Sequence, residues 1–308
     1  MPSSPDVRRG ILLAAGTATI SGFAVFLNSY GVKAVPDAAV YTTGKNLVAA
    51  AILVVAALAL PGRLTWPSPR SRESFGLLAI AVIGGSVPFV LFFSGLAIAT
   101  APTAAFIHKT LFIWVALLAV PILGERLGPA PVVALGVLLA GQALVAPPAG
   151  VGVGPGELMI AAATGLWAVE VILAKRLLAT VPVRTVAVAR MALGVLILAG
   201  YLVAAGKLGT VAAITATGWL WIAVTGVLLA GYVGTWYAAL REAPATVITS
   251  VLVVGAVVTG VLSAVSSGSA PGIAVLGGYL LIVVAVAAIA FLATGGAGRS
   301  RTRARATA

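Results

Sequence analysis

The sequence predicts an all-α membrane protein of ten transmembrane helices, arranged as two inverted five-helix repeats. Three observations predict it: an apolar composition with little charge, ten apolar runs of spanning length, and a likeness between the two halves of the chain. Of the 308 residues, 61% are hydrophobic and 8% charged. Soluble domains carry about 25% charged residues, so a soluble fold is excluded. The chain has no cysteine and one histidine, which excludes disulfides and thiolate metal sites, and no cluster of ligating residues suggests a metal centre or any other cofactor. A net charge of +12 would point to nucleic acid in a soluble protein. Here the cations fall in loops and tails between apolar runs, where they set topology, and no nucleic-acid partner is expected.

The first run, Gly10 to Leu27, follows Arg8 and Arg9 much as the apolar part of a signal peptide follows its basic start. Further runs succeed it, so it reads as an uncleaved signal anchor. The second and third runs are Ala38 to Leu60 and Phe75 to Ala99. The fourth, Pro102 to Leu123, lies in the stretch Ala101 to Leu127, which is apolar and small apart from His108 and Lys109. Pro102 opens it at a first-turn position and Gly124, Glu125 and Arg126 close it. The fifth run is Pro131 to Ala146. After the Gly- and Pro-containing segment Pro147 to Gly156 come Glu157 to Ala179, Arg184 to Ala205, Thr217 to Leu240, Ala245 to Ser266 and Pro271 to Ala293. Each run is about 20 residues, enough at ~1.5 Å per residue to cross ~30 Å of hydrocarbon.

The halves divide as residues 1–148 and 155–294, with a basic cytoplasmic tail at 295–308. Ala101-Pro102 before run four is matched by Ala243-Pro244 before run nine, and Ser21-Gly22 by Thr164-Gly165. Lys45 follows Pro36 at nearly the spacing with which Arg190 follows Pro182. Five is odd, so homologous halves must insert with opposite orientation, and the substrate site of such an inverted repeat lies near the midplane between them. With both termini in the cytoplasm, the inside segments hold Arg8, Arg9, Arg63, Arg70, Arg72, Arg126, Lys175, Arg176, Arg184, Arg241 and the arginines after Gly298. The outside segments hold only Lys33 and Lys207, and that bias selects this orientation in the cytoplasmic membrane.

These features resemble the EamA-type family of the drug/metabolite transporter superfamily. The resemblance rests on Ala101 to Ala105 leading into run four, on Leu123-Gly124-Glu125-Arg126-Leu127 closing it, and on Ala238-Ala239-Leu240-Arg241-Glu242-Ala243-Pro244 before run nine. Where the second half would carry another Gly-Glu, the chain reads Ser266-Ser267-Gly268-Ser269. The resemblance implies a secondary transporter, often an exporter of amino acids, metabolites or drugs, with runs five and ten at the periphery.

The intramembrane polar residues are the candidate substrate-binding residues. Lys45 and Lys109 lie in the outer halves of runs two and four, Arg190 and Glu170 in the inner halves of runs seven and six. Cations at two depths suit an anionic or zwitterionic small-molecule substrate; the alternative is that Lys45 and Arg190, and with less reason Lys109, snorkel to the interfaces. Glu170 reads either as a proton-coupling carboxylate or as a structural ion-pair partner of Arg190. His108 is turned about 100° from Lys109 and reads equally as cavity lining or as a helix-packing hydrogen bond. Tyr41, Trp167, Trp236 and Tyr237 are candidate aromatic walls, against the more ordinary reading of each as helix packing or an interface belt. No phosphate-cradling Gly-Lys-Ser or Gly-Lys-Thr loop is present, so gradients are the expected drive. An intramembrane enzyme or lipid-handling protein using Lys109, His108 and Glu170 is one alternative and a structural membrane subunit another. Oligomeric state stays open.

Overall fold

The computed structural model describes residues 6–60, 64–96, 98–99, 101–147 and 154–306. Of Ala101, Pro102 and the basic tail from 296 the backbone alone is described. Arg63 and most of the expected inter-repeat loop lie outside the described residues.

Every regular element among the described residues is helical. In order they are α1 (Val7–Ala34), α2 (Ala38–Ala59), α3 (Arg72–Ile83), α4 (Val87–Leu96), α5 (Ala101–Lys109), α6 (Leu111–Leu123), α7 (Pro129–Val145), α8 (Pro155–Leu177), α9 (Val183–Val188), a π-helical turn (Ala189–Leu193), α10 (Gly194–Ala204), α11 (Leu208–Ala212), α12 (Ala216–Glu242), α13 (Ala245–Leu252), α14 (Gly255–Ser267) and α15 (Ile273–Ala306). Taken through their breaks, nine helices among the described residues are long and apolar enough to cross a membrane. The expected fifth span, Pro131 to Ala146, corresponds to the shorter α7 of 17 residues. Pro129 sets its start, and the Pro147 that follows its cap residue Ala146 prevents extension.

Several expected continuous runs are broken. Run three kinks at Gly84–Ser86 between α3 and α4, run four at Thr110 between α5 and α6, and run nine at Val253 and Val254 between α13 and α14. The breaks in runs four and nine correspond. The second segments α6 and α14 each have 13 residues, and each ends on a left-handed glycine, Gly124 at φ 68° and Gly268 at φ 65°. Only glycine adopts that conformation freely, so the sequence departure at Ser266 to Ser269 leaves the helix end intact and removes only the acidic residue after it.

The two ends of the bundle differ. At the end where α1 begins, the Asp6 amide donates to Glu242 (2.9 Å), and Lys175 Nζ donates to the carbonyls of Leu240 (2.5 Å) and Ala243 (2.8 Å). Glu125 accepts the first amides of α13, from Ala245 (2.5 Å) and Thr246 (3.2 Å), satisfying donors that a helix start leaves unpaired. Arg176 closes onto the Ile122 carbonyl at 2.8 Å. At the opposite end, beyond α1, the Asp37 carboxylate caps α2 and pairs with Lys207 at 2.8 Å. There the bundle holds a cavity of about 260 Å³ lined by Pro36 to Ala39, Thr42, Phe89, Val90, Phe93, Ser94, Leu198, Tyr201 and Lys207. Helices α7 and α15 pack against each other, and large apolar side chains such as Leu58, Leu117, Val133, Leu220 and Leu280 are exposed on the outer surface.

Candidate functional site

Beneath the cavity two polar clusters are joined by aromatic rings. In the first, Lys45 on α2 is buried; its Nζ donates to Asn28 Oδ1 at 3.2 Å. It also lies 5.3 Å from the ring centre of Phe93, 5.4 Å from that of Tyr41 and 6.0 Å from that of Phe89. An ammonium attracted by three ring faces has its charge partly compensated without a carboxylate. Phe89 and Phe93 line the cavity, so Lys45 sits directly behind its wall. Tyr41 is fully buried and its one hydroxyl proton is shared between Asn28 Oδ1 (2.7 Å) and Thr225 Oγ1 on α12 (2.9 Å), which ties α1, α2 and α12 together.

The second cluster lies toward the sealed end. The Tyr237 hydroxyl donates to Glu170 Oε1 at 2.5 Å, and the Arg190 guanidinium lies 5.8 Å from the Tyr237 ring centre. Arg190 Nη2 and Trp167 Nε1 both donate to the Gly84 carbonyl at 3.2 Å. The break in run three makes that carbonyl available. A Cβ on Gly84 would stand 2.4 Å from Glu170 Cγ, and one on Gly85 would stand 2.3 Å from the Arg190 carbonyl, so the glycine pair is required by close approach.

A direct ion pair between Glu170 and Arg190 is not formed: among the described residues the ion pairs are Arg9 with Glu242 and Lys207 with Asp37. The Tyr237 hydroxyl occupies the carboxylate oxygen, and the Gly84 carbonyl takes the guanidinium instead. Both residues are nonetheless buried in one network, with Arg190 carried on the π-helical turn that aims it across the bundle.

His108 and Lys109 sit at the last turn of α5, where the helix ends before Thr110. The His108 ring packs edge-on against Trp167 (5.0 Å) and Phe92 (5.1 Å), and its Nδ1 is buried without a hydrogen-bond partner. Phe89 and Phe92 also pack on Trp167. These rings connect the cluster around Lys45 to His108. Lys109 is half-buried and has no hydrogen-bond or ion partner among the described residues. Sequence reasoning missed Phe89, Phe92 and Phe93, because aromatic residues in an apolar run carry no signal that separates wall from packing; Val87 to Leu96 reads simply as spanning helix. No cluster of His, Cys, Asp or Glu that could hold a metal occurs among the described residues.

Comparison with known proteins places these elements in a family. A profile described as the EamA-like transporter family matches the chain twice, over residues 8–146 and 154–291. A solved crystal structure described only as that of a protein superposes with a TM-score of 0.78 at 22% identity. The match covers 92% of this chain and 99% of that one, and at that identity it bears on the fold alone. A search of curated proteins found no sequence that matches.

Proposed function

Because the chain belongs to the EamA-like transporter family, we propose that it is a secondary transporter that exports small organic anions or zwitterions across the cytoplasmic membrane by alternating access. The observation that carries this reading is the unequal state of the two ends. A cavity opens at the Asp37 end above buried cations, while Lys175, Glu125 and Arg176 hold the opposite end shut. The distribution of loop arginines puts the shut end in the cytoplasm, so this conformation faces outward. Ten spans, with α7 as the short one, form two inverted repeats at 1–148 and 155–294, and the matching breaks of runs four and nine support that reading.

Lys45, Lys109 and Arg190 neutralise the substrate along the pathway, and Lys109 is available for this because no protein group among the described residues competes for its ammonium. The rings of Phe89, Phe93 and Trp167 hold the apolar part. His108 and Tyr41 position these side chains. Glu170, held by Tyr237, is the carboxylate placed to couple a proton to the conformational change.

The test is uptake and counterflow of labelled organic anions and amino acids by the purified chain in proteoliposomes. Saturable counterflow that Lys109→Met abolishes is expected. Counterflow of no member of the panel, or transport indifferent to Lys109→Met, contradicts the assignment.

A further inference from the structure

Among the described residues the buried polar side-chain atoms without partners include His108 Nδ1, Gln142 Oε1 and Thr246 Oγ1, which lie on separate elements, and a group that falls together on α2 and the π-helical turn. Thr42 Oγ1 and both amide atoms of Asn46 are buried and unpaired, and the two residues stand at i and i+4 on one face of α2. Thr42 lines the cavity. Asn46, four residues further from the open end, lies about 6 Å deeper and ~12 Å from the start of α2, near the middle of a ~30 Å hydrocarbon layer. The π-helical turn against which α2 packs carries the next unpaired group, Arg190 Nε.

Unpaired buried polar groups are destabilising and uncommon, and a π-turn is a frequent mark of a functional position. Three such residues on adjoining elements, leading down from a cavity floor, make a site whose hydrogen bonds are completed by something other than the protein.

We propose that Thr42 and Asn46 are specificity-determining residues that bind the polar end of the substrate at the midplane, and that this end carries a hydroxyl or amino group beside its carboxylate. The chemistry follows from the atoms left over. Arg190 Nε and Asn46 Nδ2 are donors suited to a carboxylate, whereas Asn46 Oδ1 is an acceptor that a plain carboxylate leaves unsatisfied. A neighbouring O–H or N–H on the ligand supplies the missing donor, and Thr42 Oγ1 can serve either group. As the cavity deepens during switching, these atoms become its floor. The assignment rests on the transport reading above.

The experiment compares succinate, malate and aspartate, which share a four-carbon skeleton and differ only at the second carbon. Proteoliposome uptake is measured for wild type, Asn46→Leu and Thr42→Val, beside thermal melting of the ligand-free proteins in detergent. Wild type should favour malate or aspartate over succinate by at least about tenfold in kcat/KM, because a site built to bond a substrate O–H rejects the analogue lacking it. Asn46→Leu should remove most of that ratio while melting at or above the wild-type temperature, since it deletes an orphaned amide. Thr42→Val should reduce the ratio less. Wild-type uptake without discrimination, or an unchanged ratio in Asn46→Leu, overturns the assignment. So does a lowered melting temperature with equal loss of all three substrates. Should Asn46→Leu fail to fold, an unchanged ratio in Thr42→Val overturns it. Uptake of none of the three by wild type, with other members of the wider panel still carried, overturns this assignment alone; uptake of no member of that panel overturns the proposed function as well.

Discussion

At the scale of the residue, the charged groups were legible and their neighbours were not. A lysine, arginine or glutamate in an apolar run stands out because placing it there is expensive, about 2.5 to 3.5 kcal/mol for a cation at a helix centre. Lys45, Lys109, Arg190 and Glu170 were therefore readable from composition alone. Asn46, Thr42 and the rings around Lys45 carry no such signal, and the involvement of Tyr237 with Glu170 depends on tertiary packing of α8 against α12. Lys109 without a protein partner has a direct consequence. Lys109→Met should leave membrane expression near normal and reduce uptake at least about a hundredfold, and Lys109→Arg should restore only part of it, because a planar guanidinium replaces a compact ammonium. Expression blots beside uptake rates check this. Outside the spans, burial acts to raise the Asp37 carboxyl, but the bond from Lys207 and the amides of Ala39 and Val40 outweigh it and hold it below 3.8. Lys207 is lifted above 10.5, chiefly by its bond to Asp37 against a slight opposing burial. A depressed carboxyl contributes stability that is lost as pH falls through its folded value; a raised ammonium contributes stability that is lost as pH rises through its own. The pair is therefore flat through neutrality. The stability difference between wild type and Lys207→Met should stay constant, at most about 1 kcal/mol, from about pH 5 to 9 and vanish in acid; melting curves across pH measure it.

Among the elements, the nine helices of spanning length among the described residues were readable from apolar run length, the expected fifth span is the shorter α7, and the interruptions were only partly readable. Gly84-Gly85 advertises the break in run three, because paired glycines weaken a helix. Thr110 and Val253-Val254 advertise nothing, since both segments are strongly apolar and the break is set by how the helices pack. The glycine pair yields a sharp expectation. Gly85→Ala would drive a Cβ into the Arg190 carbonyl, a backbone atom that cannot rotate away. It should lower stability by about 1 to 3 kcal/mol and reduce transport in parallel, as read by detergent melting and uptake. Glu125 gives the complementary case. Its carboxylate caps α13, whereas Ser269 at the corresponding place after α14 bonds Ser267 at 2.6 Å. The seal at the Asp6 end thus has an acidic cap that its counterpart lacks. Glu125→Ala should weaken that seal by roughly 0.5 to 2 kcal/mol, the range for losing a helix cap. A cysteine placed at Thr246 should then react faster with reagents from the cytoplasmic side than it does with Glu125 intact.

For the whole molecule, two repeats of one family profile and the matching geometry of runs four and nine give the bundle two related halves. The repeat was visible in the sequence through Ala101-Pro102 and Ala243-Pro244, because proline at a helix start survives as a signature when other positions drift within apolar types. Which end is closed was not visible, since closure rests on Lys175 and Glu125 meeting backbone atoms far along the chain. Reporter fusions after Gly298 should read cytoplasmic and fusions between 150 and 156 external; an external C-terminus would reverse the orientation. The chain has no cysteine, so single introduced cysteines report cleanly, and the central claim is tested by labelling two of them. One replaces Ser94 at the open cavity and the other replaces Thr246 at the sealed end. Membrane-impermeant reagent is applied from each side, with and without transported substrate. Alternating access predicts reciprocity: every condition that raises labelling at 246 from the inside lowers labelling at 94 from the outside by a matching fraction. Labelling of both positions in the same state, or changes at one with none at the other, would contradict it.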